Sequence, residues 1–219
     1  MKRVKMAIMM MLLASLAGCT WYSAKGVIPI MDRVEKNKLV KMEKEGIAIT
    51  AFPILNGDDS SEYFDRNIIS GRMFAVYLNV FNKTPNEVRV ISTELRIGGT
   101  LLQPSTAEEM YKVIKREYGV KAFLWMFPTY FVGAPISIAH TYYVNKKIEA
   151  DMAEKQMEFH KEIKPSEILQ GFIWFKVPKK AAPEYESEGP PKGTVLNLIL
   201  ILEQEKRVVE FGLPMSYER

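Results

Sequence analysis

The sequence predicts a mainly β fold: an antiparallel β-sandwich with a helical hairpin inserted between its two strand-rich halves. Three observations predict it. Apolar residues alternate with period two near both ends of the chain. Pro, Gly and Asn punctuate the segments between those runs. A central insert at about 105–163 changes to helical spacing.

The strands come first. In "GIAITAF" (46–52), Ile47, Ile49 and Ala51 fall on one side. "NGDDSS" (56–61) has the composition of a loop. "RMFAVYLNVF" (72–81) places Phe74, Val76, Leu78 and Val80 on one face. "NKTPN" (82–86) reads as a turn and "EVRVISTELRI" (87–97) as a second strand, so 72–97 is expected to be a β-hairpin. "IGGT" (97–100) is most simply another turn. Far downstream come "GFIWFKVP" (171–178), "TVLNLILIL" (194–202) and "KRVVEFGL" (206–213). The alternation and spacing fit about seven strands in an immunoglobulin-like arrangement. "KKAAPEYESEGPPKG" (179–193), rich in Pro, Gly and charge, is expected to be an exposed hairpin loop.

The insert differs. Ser105, three residues before Glu108, opens a capping box. Met110, Val113, Ile114 and Tyr118 follow at helical spacing, and Gly119 suits a helix end. "AFLWMFPTYFVGAPISIA" (122–139) carries no charge. A second helix is expected after Pro135, with Val144, Ile148 and Met152 repeating every four residues and Pro165 ending it. Length alone permits 122–139 to span a membrane. A single span would separate strands 46–97 from 171–213, which must share a sandwich. The segment is therefore expected to dock on its own sheet, or to meet a membrane interface or partner through Phe123, Trp125, Phe127, Tyr130 and Phe131. "TVLNLILIL" is apolar on both sides, the pattern of a strand covered on both faces. The insert is accordingly expected across the outer face of the sheet that holds 194–202.

The N-terminus is a targeting segment by composition. Lys2, Arg3 and Lys5 precede an uncharged run from Met6 to Ala17, followed by Leu16-Ala17-Gly18-Cys19, and Cys19 is the chain's one cysteine. Leu16, Ala17, Gly18 and Cys19 resemble the lipobox of bacterial lipoproteins. That resemblance implies a diacylglycerol on the Cys19 sulfur and cleavage before Cys19. It implies a cell-envelope location, and Thr20, where an Asp commonly retains such proteins at the inner membrane, leans towards the outer membrane facing the periplasm. Residues 1–18 are then a signal peptide, 19–45 the lipidated Cys and a Lys/Glu-dense tether, and 46–219 the domain. Loss of Lys2, Arg3 and Lys5 brings the net charge of +4 close to neutral, which gives no basis for nucleic-acid binding.

"YLNVFNKTPNEVRVI", then an apolar-to-amphipathic insert ending "NKKIEADMAEKQM", then "IKPSEILQGFIWF" looks like a widespread group of bacterial lipoproteins with an immunoglobulin-like domain. The match covers most of 70–178 and implies a fold but no particular activity.

The motifs of chemistry are absent. His140 and His160 make neither an HExxH pair nor a zinc spacing. No GxSxG, P-loop or GxGxxG occurs. Asp58-Asp59 and Glu108-Glu109 lie in an expected loop and an expected helix start. The sequence thus predicts no catalytic residue, metal or cofactor. Its partners are expected to be the membrane, through Cys19, and an envelope protein. The expected function is non-enzymatic binding or structural support in the envelope. The alternative is a small-ligand carrier or enzyme with a pocket beneath 122–139.

Overall fold

A computed structural model describes Tyr22, residues 34–117, 133–188 and 190–215. The chain divides into two compact units: Met1–Ser23 with Lys115–Asp151, and Ala24–Ile114 with Met152–Arg219. The second holds the β-structure, two antiparallel sheets. One has the order β1 (Val40–Lys44), β2 (Ile47–Pro53), β3 (Met73–Asn82), β7 (Ile168–Lys176). The other has β5 (Thr100–Leu102), β4 (Val88–Ile97), β8 (Val195–Leu202), β9 (Arg207–Pro214), with the short β6 (Glu162–Ile163) also on β4. Leu78, Val80, Ile173 and Phe175 of the first sheet share a buried core with Val90, Leu95, Leu198, Leu200 and Phe211 of the second. The chain is mainly β, as its alternation predicts.

Several expectations need correction. Residues 72–97 are not a hairpin: β3 pairs with β2 and β7, whereas β4 pairs with β5, β6 and β8. The connection is an arch between sheets, organised by the buried Asn82. Its side-chain amide donates to the carbonyls of Asn86 and Ile163, both at 2.8 Å, and its oxygen accepts from Thr84 N at 2.9 Å. "NGDDSS" opens a helix, α1 (Gly57–Phe64), because Asn56 is its N-cap, accepting from Asp59 N at 2.8 Å. Asp58 and Asp59 then lie at the positive end of the helix dipole. The segment read as a tether already contains β1. Glu45 (φ 55°) and Gly46 (φ 75°) supply the left-handed pair that a tight hairpin needs, and the Lys/Glu content that suggested a tether suits an edge strand.

The helices of the insert also begin and end elsewhere. Helix α2 is Ala107–Ile114, and its capping box sits one residue on: Thr106 N donates to Glu109 Oε2 at 2.9 Å, and Glu109 N to Thr106 Oγ1 at 3.2 Å. Ser105 instead forms a β-bridge with Trp174. Helix α3 is Gly133–Lys155 and stops well before Pro165, because Gln156 and Met157 turn to the sheet. Met157 N donates to Phe172 O at 2.9 Å, and Gln156 Oε1 accepts from Ala107 N at 3.1 Å. Gly119 lies outside the described residues. The connection 179–193 joins strands of different sheets and carries a helical turn, α4 (Tyr185–Glu188). Its Tyr185 is fully buried, donating to Met73 O at 2.8 Å.

The largest correction concerns which strand is covered twice. In β8, Leu196, Leu198, Leu200 and Leu202 are buried, while Val195, Asn197, Ile199 and Ile201 stay half-exposed. The doubly buried strands are β3 over 73–78 and β7 over 171–175. Their second face, with Ala75, Tyr77, Phe172 and Trp174, lies outside the inter-sheet core and has its own cover. Tyr63 and Phe64 of α1 stand 6.3 and 5.0 Å from Phe172 between ring centroids, and Tyr77 is 5.1 Å away. Two glycines permit this second layer. A Cβ on Gly171 would lie 2.6 Å from Met157 Cα, and one on Gly71 would lie 2.3 Å from Val113 Cγ1.

The two faces of β8 should therefore respond differently to charge. Leu200→Lys buries an ammonium in the inter-sheet core and should cost about 3 kcal/mol or more. Ile199 lies opposite Glu210 of β9, so Ile199→Lys gains a cross-strand partner and should cost less than about 1 kcal/mol. Denaturant unfolding of each variant checks this.

Candidate functional site

At one end of the sheets, three turns of the β-unit meet around a shallow groove of about 350 Å³. It is lined by Glu45 and Gly46 from the β1–β2 turn, Thr84 and Asn86 from the arch, and Glu205 and Arg207 near the β8–β9 turn. The first two of these loops exist for the backbone reasons given above, Lys206 (φ 51°) supplies a left-handed residue to the third, and together they place both signs of charge side by side. Arg207 reaches Glu45 at 3.1 Å, Asn86 donates to Glu205 at 2.8 Å, and Lys83 reaches Glu43 at 2.7 Å. The charges answer one another, so the groove presents no concentrated field to an ionic ligand. Neither a nucleophile with a base nor an oxyanion cradle is assembled there.

Several buried polar groups elsewhere have structural partners, whereas the buried Thr93 Oγ1 and Trp174 Nε1 have none among the described residues. Lys155, wholly buried, donates from Nζ to Tyr63 O at 2.7 Å and lies 5.6 Å over the Phe64 ring. Arg72 donates to the carbonyls of Val177, Pro178 and Ala182 at 2.9, 3.1 and 2.6 Å. Burial pushes the Tyr77 phenol up to about 12, and its hydroxyl donates to Gln170 at 3.0 Å. Burial raises Tyr185 further, with Arg72 opposing it weakly. Phenols held protonated this firmly are poor general bases. Among the described residues, no three His, Cys, Asp or Glu side chains gather to hold a metal ion.

In the other unit, helix α3 gathers chain from both sides. The Tyr22 hydroxyl donates to the Asp151 carboxylate. Asn145, buried, donates to Arg116 O at 2.9 Å and accepts from Arg116 N at 2.8 Å. Lys147, which could pair with Asp151 by spacing, instead stands 4.7 Å over the Tyr143 ring. Among the described residues, no helix is long and apolar enough to cross a membrane.

Leu16, Ala17, Gly18 and Cys19, which resemble a lipobox, lie outside the described residues, as do Phe123, Trp125, Phe127, Tyr130 and Phe131. His140 and His160 are described, at positions 140 on α3 and 160 in the segment before β6. Sequence reading missed Asn82, Asn145 and Tyr22, and its helical spacing placed Lys155 beside Asp151 on a wet face, whereas the folded chain buries Lys155. Each acts on a residue distant in the chain, and only their polarity within otherwise apolar or amphipathic runs hinted at a role.

No family model matches the chain, and no curated protein matches it. One solved structure, of a functionally unknown protein from Listeria monocytogenes EGD-e, is similar at a TM-score of 0.38 and 7% identity, over 90% of this chain and 100% of that one. A likeness of that strength carries nothing about activity.

The raised phenols make a pH prediction. The folded protein keeps these protons where the unfolded chain, with phenols near 10, has released them. The stabilisation is complete below about pH 10 and is lost as the pH rises through the raised values, from about 10 to 12 for Tyr77. Unfolding free energy should fall above about pH 10 by about 1.4 kcal/mol per pH unit for each phenol. Tyr77→Phe should flatten part of that slope, which urea midpoints across the alkaline range measure.

Proposed function

We propose that this chain is a lipid-anchored protein of the bacterial cell envelope. Its immunoglobulin-like domain serves as a non-enzymatic binding or structural module. The observation that carries the proposal is the run from Lys2 to Cys19: a basic start, an uncharged stretch, then Leu16-Ala17-Gly18-Cys19 with the chain's one thiol. A thiol kept at that position and nowhere else is there to be acylated. Two or more acyl chains on residue 19 would anchor the protein stably, which a single chain does not. Thr20 favours the outer membrane, with the domain in the periplasm.

The strand order supports the immunoglobulin-like part of the reading. β2, β3 and β7 are neighbours in one sheet, and β5, β4, β8 and β9 in the other. That is the order of strands A, B, E and C′, C, F, G in such sandwiches, with β1 as an added edge strand. The charge-balanced groove and the structural partners of Lys155 and Arg72 are the features that favour the non-enzymatic reading.

Labelled palmitate should enter the wild-type protein and be absent from Cys19→Ser, which should also fail to mature to the wild-type size. A Cys19→Ser protein that matures to the same size and still floats contradicts the proposal.

A further inference from the structure

Helix α3 exposes apolar side chains where a soluble helix would show polar ones. Ile138 is 46% exposed, Tyr142 56% and Tyr143 54%. Successive helical positions are 100° apart, so these three share one side of the helix. Val144 and Ile148, both buried, mark the opposite side. One turn on, the exposed side becomes basic. Lys147 stands 4.7 Å over the Tyr143 ring, and Lys146 pairs with Glu149 at 2.7 Å. Apolar and tyrosine side chains followed by lysines are the composition of a helix seated in a membrane interface. The rings lie at headgroup level there, and lysine stems reach back to the phosphates.

The chain ties its N-terminal segment to the same helix, through Asp151, which falls on the Val144 side and not on this face. The Tyr22 hydroxyl is bonded to Asp151, on the same helix and in the same unit. Tyr22 follows Cys19 by three residues, a reach of roughly 11 Å at most. Tyr142 precedes Asp151 by nine residues, about 14 Å along the axis. An acyl anchor on Cys19 thus holds the bilayer surface within a helix length of the exposed tyrosines. The tie at Tyr22 leaves too little chain for the anchor to be remote from α3.

We infer that the Ile138–Tyr142–Tyr143 face of α3 rests on the lipid bilayer, so that the protein is held to the membrane by this helix as well as by its lipid. The inference rests on the lipidation of Cys19 proposed above. Lipid engages the face through burial of apolar area, with a contribution from Lys147 towards anionic headgroups.

The test uses the mature protein carrying Tyr142→Cys, reconstituted into vesicles of phosphatidylethanolamine and phosphatidylglycerol. Acylation consumes the Cys19 thiol, so an environment-sensitive nitrobenzoxadiazole label enters at position 142 alone. Palmitate incorporation and flotation are measured on the same sample, and the label on free cysteine in buffer sets the water-exposed spectrum. The expected result is acylated, floating protein whose label shifts to the blue and is quenched severalfold by nitroxide-bearing lipids. Acylated, floating protein with a water-like label overturns the inference and leaves the lipidation standing. A label shielded from water but not quenched by the nitroxide lipids means that protein, a second copy or another chain, covers the face, and also overturns it. Absence of palmitate overturns the lipidation and the inference together.

Discussion

The packing of Phe172 is the constraint on which the rest of the β-unit depends. β7 has an apolar residue on each side at every step from Phe172 to Phe175, so one sheet partner cannot dry both faces. The inward side meets the other sheet. The outward side needs a second layer, and Phe172 is its hub, with the rings of Tyr63, Phe64 and Tyr77 around it. The edge-on contacts with Phe64 and Tyr77 contribute beyond the area they bury. The layer explains why α1 interrupts β2 and β3, why residues 105–114 return to Trp174, and why Gly71 and Gly171 lack side chains. It also explains the buried Lys155. The carbonyl of Tyr63 falls in the last turn of α1, where helices leave carbonyls without intrahelical donors. The Lys155 ammonium supplies the donor and places its positive charge at the negative end of that helix.

Much of the β-structure was legible because alternation is a local signal. Ile47, Ile49 and Ala51, or Leu196 to Leu202 by twos, point one way in any strand, and all of them are buried. What alternation does not carry is the partner. Residues 72–97 have the pattern of two strands and a turn whether they form a hairpin or an arch. The hydrogen bond from Asn82 to Ile163, far along the chain, decides between them. Likewise "TVLNLILIL" has the stronger run of apolar residues, yet its second face carries Asn197 and lies half-open. The milder run around Phe172 and Trp174 is the covered one. Aromatic area, more than an unbroken apolar string, marked the second interface. Composition misled at "NGDDSS", where residues common in loops are also those that cap and charge a helix start.

The functional signals divide in the same way. The resemblance to a lipobox is a contiguous pattern that needs no fold to be read, so Cys19 stood out from the sequence. The contacts that give α3 its place do not. Tyr22 with Asp151, and Asn145 with Arg116, join residues that no spacing rule connects. Local patterns therefore pointed to the proposed anchor, whereas the contacts of α3 emerged only from the folded chain. The groove among Glu45, Asn86 and Arg207 shows the converse: a concavity whose charges already satisfy one another.

The second layer is tested most directly by truncating neighbouring residues on opposite faces of β7. Phe172→Ala and Ile173→Ala should each lower the unfolding free energy by several kcal/mol, about 3–5 for the aromatic and about 2–5 for the aliphatic residue. The comparison is made in denaturant at constant slope, so that both values refer to the same cooperative transition. A Phe172→Ala loss below about 1 kcal/mol, the size of a surface substitution, would mean that the outer face of β7 is open and would contradict the account.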